Sequence, residues 1–432
     1  MPNIAVSRSG GTSEAATTYT GALATVTSLF FMWGFVTVLN DILVPHLKAI
    51  FDLGYAKVML IQFAFFSAYF IFSIPSAKLI DWIGYKRTMV VGLMTMGVGA
   101  LLFLPAASAA SYVLFLCALM VLAAGITALQ VAANPYVAVL GPERTGSSRL
   151  NLTQAFNSFG TMIGPYLGGL LILSANPKTS DQLHQMPAAA LQAYRVQEAS
   201  SVKLPYLIIG IALILLGVVI GMIKLPAMPH AERHGETGPK TSLWKYPHLV
   251  FGAIGIFVYV GGEVSIGSFL INYFTQKNIG NISEVAAAGF VSYYWGGAMF
   301  GRFIGSAILQ KVETRIVLGI AAAAACALVI ISMLTVGHVA MWSIILVGFF
   351  NSVMFPSIFT LGIAKLGPLT GDGSGMLIMA IVGGAMIPVM QGALADRIGI
   401  HHAFILPVLC YVYIFYYALR GSKPSGPGIA VA

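Results

Sequence analysis

Apolar runs of about twenty residues recur twelve times along this chain, near 24–45, 58–80, 88–107, 112–140, 151–174, 204–223, 248–274, 285–310, 315–335, 338–363, 373–395 and 401–420. Each is long enough to cross the hydrocarbon core of a bilayer as a helix, about 20 residues being needed. Lipid offers backbone amides no partners, so a crossing segment must satisfy its own hydrogen bonds, and the helix does so within one segment. The chain is therefore expected to be an all-α membrane protein with twelve transmembrane helices. Composition agrees, because 58% hydrophobic and 9% charged residues cannot be divided between one soluble core and its surface. Cys117, Cys326 and Cys410 all fall inside predicted spans, where cysteine packs as a small apolar group.

One polar stretch, KLPAMPHAERHGETGPKTSLWKYP at 224–247, separates the first six runs from the last six. The expected organisation is a polar N-terminus at 1–20, a six-helix half at 21–223, a linker at 224–247, a second half at 248–420 and a tail at 421–432. The N-terminus shows no compact signal peptide, so the first span is expected to remain as a helix. Lys and Arg concentrate in alternate loops, among them Lys86, Arg87, Arg144, Lys311 and Arg315. Basic residues in short loops stay on the cytoplasmic side, which places both termini there. The net charge of +9 then faces an anionic inner leaflet and calls for no nucleic acid.

The two halves carry a faint internal repeat. GITALQVAANPYVAVLG in span 4 aligns with VGFFNSVMFPSIFTLGI in span 10 on Pro135 and Pro356, which sets Gln130 opposite Asn351. Spans 5 and 11 align on Pro165 and Pro388, which sets Gly160 opposite Gly383. Proline and glycine at matching places predict bends and close helix approaches. Between spans 2 and 3, AKLIDWIGYKR at 77–87 resembles the loop signature of the major facilitator superfamily, with Asp81, Gly84, Lys86 and Arg87 as matches and Ala77, Trp82 and Tyr85 as departures. There Gly84 permits a tight turn, and Asp81 at a helix end can pair with basic groups as a conformational latch. GALADRIGI at 392–400 fits the opening of that signature better, but the topology puts it outside, so it reads as an ordinary turn.

Longer segments carry a sharper likeness. NDILVPHL (40–47), AANPYVAVLGPE (132–143), RLNLTQAFNSFG (149–160), YVGGEVSIGSFLINYF (259–274) and FPSIFTLGI (355–363) together resemble the fucose–galactose–glucose symporter family, closest to its bacterial glucose/galactose transporter branch. The resemblance covers nearly the whole chain. It implies the major facilitator fold, alternating access, and cation-driven import of a hexose, glucose or galactose or else fucose, across a bacterial cytoplasmic membrane. It also implies a chain that works as a monomer, with a sugar and membrane lipid as its partners.

The polar residues within the spans suit such a cargo. Gln130 and Asn134 lie four apart on one face of span 4, while Asn151, Gln154, Asn157 or Ser158, and Thr161 form a stripe on span 5. Amides donate and accept without charge, as hexose hydroxyls do. They serve equally to bond one membrane helix to another. Gln154 and Asn157 match sugar-site positions of the family, and Asn134 and Asn351 join them as candidates. Tyr293, Tyr294 and Trp295 could pack the C–H faces of a sugar, or face lipid.

Two acids lie deep in spans, Asp41 and Glu263. An aspartate at the centre of a membrane helix costs roughly 2.5–3.5 kcal/mol on insertion scales, so each is a functional candidate. In the fucose branch the resemblance pairs the span 1 aspartate with a span 4 glutamate, and that second position is Gln130 here. Coupling then rests on Asp41, alone or with Glu263, and the co-transported ion is a proton or sodium. Glu263 has competing roles: cation ligand, acceptor for sugar hydroxyls, or partner of Arg302. Asp41 can also be read as a helix-end acid beside His46 and Lys48. No other cofactor or metal is expected, since no metal-ligand spacing or Ser/His/Asp set occurs within spans, and an enzyme is not expected. An exporter of drugs or other metabolites is the alternative, although lipophilic cargo would favour an apolar, aromatic cavity over amides.

Overall fold

The structure is a computed structural model that describes residues 19–51, 55–172, 182–183, 185–226 and 242–427. Much of the N-terminus (1–18) and of the linker (227–241), the end of the tail (428–432) and the side chain of Asp41 lie outside the described residues. Among those described, the regular secondary structure is entirely helical. In chain order the main helices are α1 Thr20–Phe51, α2 Tyr55–Ser108, α3 Tyr112–Val139, α4 Gly146–Ile172, α5 Ala188–Ala199, α6 Lys203–Met222 and α7 Pro247–Phe274. They continue with α8 Glu284–Ile308, α9 Thr314–Leu334, α10 Gly337–Asn351, α11 Met354–Gly362, α12 Thr370–Met379, α13 Gly383–Ile398 and α14 Ile405–Tyr416.

These helices make twelve membrane crossings in two six-helix halves. Spans 2 and 3 form one 54-residue element, α2, folded back on itself at Gly84 (φ 78°, ψ 168°). That left-handed φ is open to glycine at little steric cost. Gly399, at the C-terminal end of α13, has φ 83° and ψ 153°, so the two signature-like stretches share one backbone turn at opposite ends of the molecule. Span 10 is interrupted between α10 and α11, where Pro356 has no N–H to offer the Ser352 carbonyl. Span 11 is interrupted by a 3₁₀ turn at Ala380–Val382. The short helix α5 lies between spans 5 and 6, where the hydropathy pattern predicts only a loop.

The repeat is visible in packing. A side chain at Gly160 would run into the Phe31 carbonyl of α1, and one at Gly383 into the Phe257 carbonyl of α7. The aligned glycines thus admit equivalent close approaches, α4 on α1 in the first half and α13 on α7 in the second. Small residues at such crossings let backbones meet and dispersion act where lipid supplies no hydrophobic drive.

Candidate functional site

The halves are joined at the end that carries Lys86, Arg144, Lys311 and Lys365. On one side α4 meets α8: Ser148 Oγ donates to the Ser306 carbonyl at 2.7 Å and Ser306 Oγ donates back to the Ser148 carbonyl at 3.0 Å. One turn deeper, Asn151 Nδ2 donates to the Arg302 carbonyl at 2.6 Å. Thr314 Oγ1 donates to Ser147 Oγ at 2.9 Å, and Ser147 also meets the Thr360 hydroxyl. On the other side α12 packs on α2 and α3. Pro135 lacks an N–H, which frees the Val131 carbonyl four residues earlier, and Ser374 Oγ of the second half donates to it at 2.8 Å. A Cβ added at Gly375 would come within 2.8 Å of Ala77 Cβ, so glycine there lets α12 lie directly on α2. These hydrogen bonds between the halves fall between this end and mid-depth. The arrangement is a gate shut at the basic end.

At mid-depth the first half presents its amides. Gln130 Nε2 donates to Tyr69 Oη at 2.9 Å, while Gln130 Oε1 has no protein partner among the described residues. The Gln154 side chain makes no hydrogen bond among them. Asn157 Nδ2 donates to the Phe30 carbonyl at 2.9 Å, and a Cβ at Gly34 would lie 2.6 Å from it, so this amide seats α4 against α1. Asn134 is different again: it is fully buried beneath the shut gate, and neither amide atom has a partner. Gln130 and Gln154 keep a small exposure of 7% each, whereas Asn134 has none.

The second half is built around Asn351. Asn351 Nδ2 donates to Tyr294 Oη at 2.9 Å, its Oδ1 accepts from Tyr411 Oη at 2.9 Å, and its backbone carbonyl accepts from Tyr259 Oη at 3.0 Å. Tyr259 Oη also lies 2.8 Å from Glu263 Oε1. Asn351 is completely buried with both amide atoms bonded, whereas Glu263 is part-exposed. Arg302 forms no ion pair with Glu263, although its charge acts on it. Its guanidinium crosses to the first half instead, donating from Nη1 to the Gln154 carbonyl at 3.3 Å and to the Ser158 hydroxyl. Tyr294 belongs to the Asn351 cage, while Tyr293 and Trp295 are exposed.

At the span 2–3 turn, Lys86 Nζ donates to the Gly221 carbonyl at 2.7 Å, tying the turn to the end of α6 within its own half. Tyr85 reaches across, its hydroxyl lying near Gly371 of α12, with Asp81 and Asp372 both acting on it. Arg87 has no partner among the described residues. Sequence reasoning passed over Tyr69, Tyr259, Tyr411 and Ser374, and it weighed Arg302 only as a partner for Glu263. The signal for Ser374 is Pro135 itself, since a proline in a buried span always leaves a carbonyl needing a donor.

Residues 22–387 match the Major Facilitator Superfamily. The chain is 51% identical over 405 residues to a glucose/galactose transporter of Brucella abortus, covering 94% of this chain and 95% of that one. It is 46% identical to a putative glucose/galactose transporter of Helicobacter pylori, over 94% of this chain and 98% of the other. With the L-fucose-proton symporter of Escherichia coli it shares 37% identity over 98% and 97% of the two chains. Among solved structures, the E. coli fucose:proton symporter superposes with a TM-score of 0.86 at 36% identity, over 94% of this chain and 99% of that one. A major facilitator superfamily transporter, FucP, in the outward conformation gives 0.85 at 36% identity, over 92% and 98%.

Proposed function

This chain belongs to the major facilitator superfamily, and from that premise we propose that it imports a neutral hexose, glucose or galactose, driven by a co-transported proton or sodium ion. It is a multi-pass membrane transporter and not an enzyme. The observation that carries the sugar is the 51% identity, end to end, with a glucose/galactose transporter. The amides of Gln130 and Gln154, with spare bonding capacity among the described residues, support it, because a neutral polyol needs donors and acceptors without net charge.

The basic end is cytoplasmic in this reading, with both termini on that side of a bacterial inner membrane. The shut gate then makes this the outward-facing state. Sugar enters from outside and bonds Gln130 and Gln154. The Ser148–Ser306, Asn151–Arg302 and Ser374–Val131 pairs release as the halves rock. Hydrogen bonds between membrane helices average about 0.6 kcal/mol by double-mutant cycles, so these four bonds hold the gate by about 2.4 kcal/mol. Differential ligand binding can supply a shift of that size.

Asp41 on α1 and Glu263 on α7 are the coupling acids, one in each half, and the working unit is a monomer in lipid. Asp81, Gly84, Lys86 and Arg87 serve as the latch that holds the span 2–3 turn. Asn157 acts by seating the substrate helix, and Asn134 and Asn351 line the path indirectly, the first below the gate and the second behind the tyrosine cage. Uptake of labelled glucose and galactose into proteoliposomes, with pH and sodium gradients imposed separately, tests the proposal. One gradient alone should accelerate uptake; acceleration by neither rules out symport, and binding of a lipophilic cation in place of both sugars rules out the cargo.

A further inference from the structure

Below the gate, at the basic end, a cavity of about 860 Å³ lies between the halves, separate from the amides at mid-depth. Its charged lining is uneven: Arg144, Lys311, Arg315 and Lys365 against Glu143 and Glu313. Arg315 is held in place by bonds to the carbonyls of Ala418 (3.3 Å) and Leu419 (2.8 Å). The side chains of Arg144, Lys311 and Lys365 have no hydrogen-bond or ion-pair partner among the described residues, and neither acid is paired with them. The hydroxyls of Ser147, Thr314 and Thr360, bonded to one another, also line it.

Lys365 has φ 57°, a left-handed value costly for a side chain longer than glycine's and one that persists only where its surroundings enforce it. The volume falls within the roughly 300–1,000 Å³ of small-molecule sites. Three unengaged cations and a set of hydroxyls in one lining match an anion that is itself rich in oxygen, since charge-assisted hydrogen bonds are about twice as strong as neutral ones.

We propose that this cavity binds a hydroxyl-bearing phosphate and that its occupancy holds the gate shut. Arg144 and Ser147 belong to the first half, and Lys311, Thr314 and Lys365 to the second, so opening the gate pulls the two sets apart. A phosphate held by both sets binds the shut state more tightly, and a ligand shifts an equilibrium by its differential affinity. The phosphate comes either from solution, as a phosphorylated sugar, or from the headgroup of an acidic lipid such as phosphatidylglycerol. Binding itself does not rest on the proposed cargo; only a feedback role would.

The test uses the purified full-length chain. Binding of radiolabelled glucose 6-phosphate and of glucose is measured on the same samples, and hydrogen exchange of α4 and α12 reports the gate. Glucose 6-phosphate should bind saturably, weaken with salt and slow exchange at both gate segments. A Lys311→Glu/Lys365→Glu variant should lose roughly tenfold or more in that affinity, about 1.4 kcal/mol, with glucose binding retained. A second arm compares nanodiscs of phosphatidylcholine with nanodiscs containing phosphatidylglycerol. Slowed exchange with the acidic lipid alone, again lost in the variant, assigns the site to a headgroup. No effect from either phosphate, or binding that the variant leaves intact, overturns the proposal. Failure of the wild type to bind glucose counts against the sugar reading and leaves this outcome readable.

Discussion

Gln130 and Asn351 occupy matching places in helices that align on Pro135 and Pro356, yet their amides are used differently. Asn351 is locked between Tyr294 and Tyr411, with its carbonyl on Tyr259, and is wholly buried. Among the described residues Gln130 makes one bond, to Tyr69, and nearby Gln154 makes none with its side chain. The same side-chain chemistry, an amide, is fully engaged at one of the related positions and partly engaged at the other. A polar group engaged on both sides rigidifies its surroundings, while one left partly open can exchange partners with a ligand at little cost. In the proposed function the first half is the sugar-binding face, and the second a stiff body that presents Glu263.

The largest expected effect separates the halves by their acids. Asp41→Asn should abolish accumulation against a gradient in proteoliposomes while leaving sugar exchange, and Glu263→Gln should reduce accumulation without abolishing it. The opposite result moves coupling into the second half and reverses the assignment.

Next in size is the cage. Asn351→Leu orphans the buried Tyr411 hydroxyl, an unsatisfied group costing about 1–3 kcal/mol, and leaves Tyr294 Oη only its bond to the Glu263 carbonyl. The thermal midpoint in mild detergent should fall by several degrees, with glucose affinity of the folded fraction little changed. Gln154→Ala should do the reverse, losing about tenfold in glucose affinity by equilibrium binding while the midpoint stays put, as expected for one or two hydrogen bonds to ligand. Equal behaviour of the two variants would erase the distinction between the halves.

How much of this was legible beforehand follows from how each feature is encoded. Spans were legible because hydropathy is a local property, and Gly84, Pro135 and Pro356 could be read as turns and bends because backbone chemistry is local too. The tyrosine cage was not, since Tyr259, Tyr294, Asn351 and Tyr411 come from four helices with no spacing that relates them. Arg302 was visible as an intramembrane charge, but its choice of the Gln154 carbonyl and Ser158 over Glu263 depends on how α8 faces α4. Helix α5 was missed because a twelve-residue helix outside the bilayer leaves no long apolar run.

Asn134 gives the smallest effect and the finest cut. Like Asn351 it is a wholly buried amide in a proline-containing span, but among the described residues both of its polar atoms are unpartnered. Replacing an orphan amide by an apolar group of similar shape removes a desolvation cost and leaves no partner behind, so Asn134→Leu should be neutral or stabilising by about 1 kcal/mol. Its burial belongs to the shut gate alone. When the halves part at that end, the amide regains water or meets departing sugar, a gain that leucine cannot make. The variant should therefore show a slightly raised thermal midpoint together with slower transport, by a factor of about 5 if the same 1 kcal/mol is lost from the open state. A lowered midpoint like that of Asn351→Leu would mean that Asn134 is satisfied by ordered water, and that the two halves bury their amides on the same terms.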